Sequence, residues 1–124
     1  MKLIIAGSRH LPNCVELIDK LVKPLPRVEE VVSGCARGVD TSGEMWAKLN
    51  NIPVKRFPAD WERYKNSAGP IRNMQMARYA DALLLIWDGK SKGSKHMLES
   101  AIAEKLEPIL VYITTSSYPS GDFQ

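Results

Sequence analysis

Cysteine is scarce. The chain of 124 residues has two, Cys14 and Cys35, in no C-x-x-C spacing. That argues against a disulfide framework or a thiolate zinc cluster, and it points to a reducing, cytoplasmic setting. Histidine is equally sparse: His10 and His96 stand alone, without H-E-x-x-H or His-x-x-His, so no metal centre is expected. No apolar run reaches the roughly 18 residues of a membrane helix, so no membrane association is expected. The opening MKLIIAG is too brief for a signal peptide and reads as a first strand. Charge of one sign is also missing in bulk. Lys and Arg number 17 against 14 acids, and a net +3 is too small an excess to argue for nucleic acid as a partner. What remains is an ordinary folded composition, 44% apolar and 25% charged, in a chain long enough for one domain with its own core.

Short apolar runs alternate with longer mixed segments. Lys2 to Ala6 is apolar without alternation, as in a strand buried on both faces. A helix fits Pro12 to Lys23, with Asn13 and Glu16 as a capping pair and Pro24 beyond its end. Val28 to Val32 is the second strand, followed by a loop from Gly34 to Gly38. Asp40 then caps a helix reaching Leu49. Pro53 to Phe57 is a short strand, and Pro58 to Pro70 a polar excursion carrying Trp61 and Tyr64. A helix from Ile71 to Tyr79, the strand Ala82 to Trp87, a loop from Asp88 to Ser94, a helix from His96 to Lys105 and a strand from Ile109 to Ile113 complete the domain. Residues 1–113 form the domain, and 114–124 read as a polar tail that frays. Five strands separated by helices predict an α/β fold, a Rossmann-like three-layer sandwich around a mainly parallel five-stranded sheet.

In such sheets ligands bind beyond the carboxyl ends of the strands. Four polar or glycine-rich segments fall there. Gly7-Ser8-Arg9 offers a tight turn, a hydroxyl and a guanidinium fork. Gly34-Cys35-Ala36-Arg37-Gly38 leads into a helix N-terminus, where free N–H groups favour an anion, and Asp40 is there as cap or hydroxyl-binding carboxylate. Residues 55–78 hold six basic side chains against two acids, a local +4 that exceeds the whole chain's +3. Within them, Arg72 and Asn73 stand near a helix start, where Arg72 adds positive charge to an end that already favours an anion. Asp60 and Trp61 sit in the preceding excursion, where Trp61 or Tyr64 either stacks on a planar ring or packs the excursion down. Asp88, Gly89, Ser91, Gly93 and Ser94 resemble a phosphate cradle, rimmed by Lys90, Lys92 and Lys95. Neither G-x-G-x-x-G nor G-x-x-x-x-G-K-[ST] is present, which weakens the dinucleotide and triphosphate readings. No Ser/His/Asp triad is expected, and Cys35 reads as a small packing residue before a nucleophile.

GSR at Gly7, GCARGVD at Gly34, FPADW at Phe57, AGPIRNMQMA at Ala68 and WDGKSKGSKHM at Trp87 occur in an order that resembles the YspA-like, YpsA-related branch of the SLOG superfamily. That superfamily also contains the lonely-guy phosphoribohydrolases and the DNA-uptake protein DprA. The resemblance implies a Rossmann-like sheet that binds nucleotides or nucleotide-derived ligands. Arg72 is similar to the arginine of the phosphoribohydrolases, Asp81 to the aspartate before their strand, and Gly93-Ser94 to their Gly-Thr. Their catalytic glutamate falls on Met97 here, with Glu99 two positions on, facing elsewhere. Met cannot activate water or stabilise an oxocarbenium ion, so the resemblance carries over the cradle without the carboxylate.

The expected function is binding of a nucleotide or nucleotide-derived phosphate, with no cofactor. Gly7, Ser8, the Gly34 to Gly38 backbone and the Gly89 to Ser94 loop surround phosphate and ribose, while Arg9, Arg37 and Arg72 neutralise charge. The alternative is hydrolysis of a nucleotide's N-glycosidic bond. Arg72 and Asp88 are then the catalytic candidates, with Asp40, Asp60 or Asp88 replacing the missing carboxylate. Nucleic-acid binding by analogy with DprA is a further alternative, and pairing with a second copy is compatible with the site.

Overall fold

The strands of the computed structural model line up in the order β3-β2-β1-β4-β5, each parallel to its neighbours. They are β1 (Lys2–Gly7), β2 (Glu30–Ser33), β3 (Val54–Arg56), β4 (Ala82–Trp87) and β5 (Ile109–Ile113). The structure describes residues 1–114. The expected tail therefore lies outside the described residues except for Thr114, which is buried and whose N–H donates to the Trp87 carbonyl.

Two cores explain why the strands do not alternate. Leu3, Ile5, Val31, Leu84 and Ile86 face α1 (Val15–Val22) and α2 (Val39–Leu49), meeting Ile18, Trp46 and Ala47. Ile4, Ala6, Val32, Leu83 and Leu85 face the other way, onto Met76 and Ala77 of α4 (Ala68–Tyr79) and Met97 and Ala101 of α5 (Lys92–Ala103). With helices on both faces, both faces must be apolar. This is the expected α/β, Rossmann-like three-layer arrangement.

Several boundaries differ from the sequence reading, each for a local reason. The first helix starts at Val15, not Pro12, because the Asn13 side chain accepts from the Val15 N–H and turns the chain there. The second strand runs Glu30–Ser33, two residues later than expected at its start. Asp40 does not cap α2: Gly38 holds the N-cap position, at φ 72, a left-handed conformation that favours glycine. The Pro58 to Pro70 excursion contains α3 (Trp61–Tyr64) and a 3₁₀ turn (Lys65–Ser67), and α4 starts at Ala68. Pro70 thus sits in the first turn of α4, where a missing N–H leaves no helical bond unmade. The last helix starts at Lys92, four residues before expected, and ends at Ala103. Its end is a left-handed turn at Lys105, φ 58, with Lys105 N–H donating to Ile102 and Leu106 N–H to Ala101. Asn51 closes α2 with the same pattern, its N–H donating to the Lys48 carbonyl and the Ile52 N–H to the Ala47 carbonyl.

Strand order reverses between β1 and β4, whose register aligns Gly7 with Ile86. A crevice opens at such a reversal. Gly7 is obligatory there, because a Cβ would lie 1.9 Å from the Ile86 carbonyl oxygen.

Candidate functional site

A cavity of about 740 Å³ occupies this crevice. Its floor is the end of β1 at Ala6 and Gly7. Arg9, His10, Ala36 and Asp40 line it from the segments that follow β1 and β2, and Trp61, Arg72, Asn73 and Met76 from α3 and α4. The N-terminal half of α5 closes it with Ser91, Lys92, Gly93, Ser94, Lys95 and His96.

The first turns of α4 supply the most constrained cation. Arg72 donates from Nη1 to the Gly34 carbonyl and from Nε to Asn73 Oδ1 at 3.1 Å. Burial lowers its pKa, with Asp40 acting in the opposite direction and Arg9 in the same one. Gly34 lies where these groups meet: a Cβ there would lie 2.9 Å from both Arg72 Nη1 and Asp40 Oδ2, so those side chains would have to shift. Asn73 is buried and continues the chain of contacts, its Nδ2 reaching the Gly93 carbonyl at 3.3 Å and His96 Nδ1 at 3.2 Å.

Asp40 is 5% exposed and accepts from the Ala36 N–H at 3.3 Å. Burial pushes its carboxyl up to about 6, although the Ala36 N–H and Arg72 both work to lower it. A carboxyl poised there exchanges a proton near neutrality.

The loop after β4 is shaped by its own polar groups. Ser8 is fully buried, and its hydroxyl accepts from the Asp88 N–H at 3.0 Å, tying the ends of β1 and β4 together. Asp88 Oδ1 accepts from the N–H groups of Lys90 and Ser91, and Oδ2 lies 3.5 Å from His10 Nε2. Burial acts to raise the Asp88 pKa, but those N–H groups and His10 outweigh it and hold it below the ordinary value. Gly89 adopts φ 79 at the turn. Ser91 then donates to Ser94 Oγ at 2.9 Å, which leaves the buried Ser94 hydroxyl its own proton to offer.

Of the residues singled out in the sequence, the cavity brings together Gly7, Arg9, Ala36, Asp40, Trp61, Arg72, Asn73, Ser91, Gly93 and Ser94. Ser8, Gly34 and Asp88 lie outside its lining and shape it through the contacts above. Cys35, Arg37, Gly38, Asp60 and Gly89 also lie outside it. Arg37 is exposed, and Cys35 turns its thiol to the Ser33 carbonyl. Asp60 caps α3, accepting from the Arg63 N–H at 3.1 Å. Tyr64 stacks under the Arg63 guanidinium at 5.1 Å, whereas Trp61 lies over Gly69 at the cavity.

Sequence reasoning missed Gly69, Pro70 and Met76, and it gave His10 no part in the site. Glu99, expected to face elsewhere, lines the cavity beside the buried Met97. The helical spacing of Lys92, His96 and Glu99 carries that signal once α5 is begun at Lys92. Gly89-Lys90-Ser91-Lys92-Gly93 also has the G-x-S-x-G spacing of a nucleophile elbow, which the sequence reading passed over. Ser91 does not serve as one: its backbone is unstrained and extended, and its hydroxyl is engaged by Ser94.

Among the described residues no three His, Cys, Asp or Glu side chains are grouped to hold a metal ion, and no helix is long and apolar enough to cross a membrane. The family model for the YspA, cpYpsA-related SLOG family matches residues 1–64, which span β1 through α3. The gene 61 protein of Mycobacterium phage D29 is 33% identical over 109 residues, covering 81% of this chain and 87% of that protein. No solved structure matches the chain significantly. Membership in the SLOG group suggests nucleotide-related ligand binding or processing. On the family model and the phage relative together, the chain belongs to the YspA, cpYpsA-related SLOG family.

Proposed function

We propose that the domain binds a nucleotide or nucleotide-derived phosphate in this cavity. The observation that carries the reading is the convergence of Arg72 with the N-terminal turn of α5 on one open-mouthed cavity. Arg72 is held in place by Gly34 and Asn73, so its charge is presented without the entropy of ordering a long side chain. The N–H groups that open α5 and the Ser94 hydroxyl are donors suited to phosphate oxygens. Arg9, Lys92 and Lys95 add positive charge at the mouth. Trp61, half exposed where it lines the cavity, is available to stack on a base.

Calorimetric titration with nucleoside monophosphates, ADP-ribose and inorganic phosphate tests this. Binding tighter than about 1 mM by a nucleotide, lost in Arg72→Ala, supports the reading. Failure of every nucleotide to bind overturns it.

A second reading, hydrolysis of the N-glycosidic bond, is favoured by one observation. Of the three aspartates able to replace the missing glutamate, Asp40 alone lines the cavity, with its carboxyl raised to about 6. Release of free base from a nucleoside monophosphate, abolished by Asp40→Asn, supports it. Tight binding without base release leaves the domain a binding module.

A further inference from the structure

The hydrogen bonds around Asn73 determine more than its own position. Arg72 Nε can only donate, so the Asn73 atom facing it is the oxygen. The Gly93 carbonyl can only accept, so the atom facing it is the amide nitrogen. Two neighbours from different elements thus fix the same orientation of the side-chain amide. Its nitrogen then lies 3.2 Å from His96 Nδ1. An amide nitrogen has no lone pair to offer, so Nδ1 must supply one. The Ser100 hydroxyl, 3.4 Å from the same atom, is able to donate as well.

We infer that Asn73 holds His96 as its Nε2–H tautomer, so that the ring meets the cavity's occupant as a hydrogen-bond donor and not as a base. Asn73 is a positioning residue in this scheme, and His96 a specificity-determining one. The α4–α5 wall then presents donors from Arg72, Ser94 and His96, and it selects an occupant rich in acceptor oxygens. A phosphate ester or a sugar hydroxyl oxygen fits that chemistry, while a cationic ligand does not. For the hydrolytic reading, water activation falls to a carboxylate, since Nδ1 is occupied and Nε2 already carries its proton. The contact with an occupant rests on the nucleotide reading above; the tautomer does not.

Long-range proton–nitrogen correlation spectra of protein labelled with nitrogen-15 histidine, recorded without ligand at mildly alkaline pH, decide the tautomer. His96→Gln assigns the His96 signals. A bare Nδ1 and a protonated Nε2 are expected; a protonated Nδ1 overturns the inference. Asn73→Asp replaces the donor by an acceptor and should move the proton to Nδ1, and an unchanged spectrum in a folded variant counts against it. Titration with 5′-AMP tests the contact. His96→Gln, whose amide N–H reaches about as far as Nε2, should keep affinity within about threefold, and His96→Asn, which ends near Nδ1, should lose about tenfold. Equal affinities overturn the donor role. If the wild type binds no AMP, the nucleotide reading fails, and the ligand-free spectrum still decides the tautomer.

Discussion

The guanidinium of Arg72 donates to the carbonyl of Gly34, 38 residues away, and so couples α4 to the loop that opens α2. This bond joins two walls of the cavity that share no strand or helix. Arg72→Ala leaves the Gly34 carbonyl and Asn73 Oδ1 without their donor, and each loss costs on the order of 1 kcal/mol. Urea unfolding should show the destabilisation in the absence of ligand. Arg72→Lys keeps the charge but cannot serve both acceptors, so it should recover only part of the stability and of the affinity for 5′-AMP. Full recovery by lysine would mean that charge alone matters there.

Asp40 gives stability an unusual pH dependence. Its folded pKa of about 6 lies above the ordinary 3.8, so the folded state holds the proton more tightly than the unfolded chain does. Its contribution is therefore fully present below 3.8 and is lost as pH rises through 6. The loss is on the order of 3 kcal/mol. Asp40→Asn keeps an acceptor for the Ala36 N–H and removes the ionisation. The variant should be more stable than the wild type near neutral pH, and the difference should vanish toward pH 4. Urea midpoints across that range check it, and a constant difference would refute the assignment.

Trp61 is 51% exposed, so its removal should hardly change stability. If it covers a base, Trp61→Ala should weaken binding of 5′-AMP by about tenfold and leave inorganic phosphate unaffected, since only the nucleotide has a ring to stack. Calorimetry with both ligands separates these outcomes. Equal losses for the two would place Trp61 in the structure of the cavity and not in base recognition.

Lys105 adopts φ 58 where α5 ends, a conformation that costs a side chain about 1 kcal/mol and glycine almost nothing. Lys105→Gly should therefore raise the melting temperature by about 4 °C. Lys105→Val should lower it, because branching at Cβ worsens the clash. A lower melting temperature for the glycine variant would contradict this reading of the helix end.

The central strand β4 and the edge strand β5 were legible because their residues admit one reading. ALLLIW at Ala82 and ILVYI at Ile109 are unbroken apolar runs, and both strands have the bounds expected of them. The helix starts were not legible. Pro70 and Gly93 read as loop residues, yet each sits in the opening turn of a helix, where a missing N–H or a missing side chain is tolerated. The late start assigned to α5 hid the face that Lys92, His96 and Glu99 share. Asp40 had the composition of a cap and instead turns its carboxylate back to the loop, because Gly38 alone suits the left-handed turn before α2. Asn73, Arg72 and His96 are joined by side-chain contacts between two helices, and no spacing along the chain announces those.

Gly7 has consequences for how this domain can diversify. Its α-carbon is pressed so closely on β4 that even a methyl group would force the two central strands apart. No mutation can therefore put a side chain up from the floor at that point without unmaking the sheet. Any change in the size or shape of the space above that point therefore has to come from the residues around it, on the loops and helices of the rim.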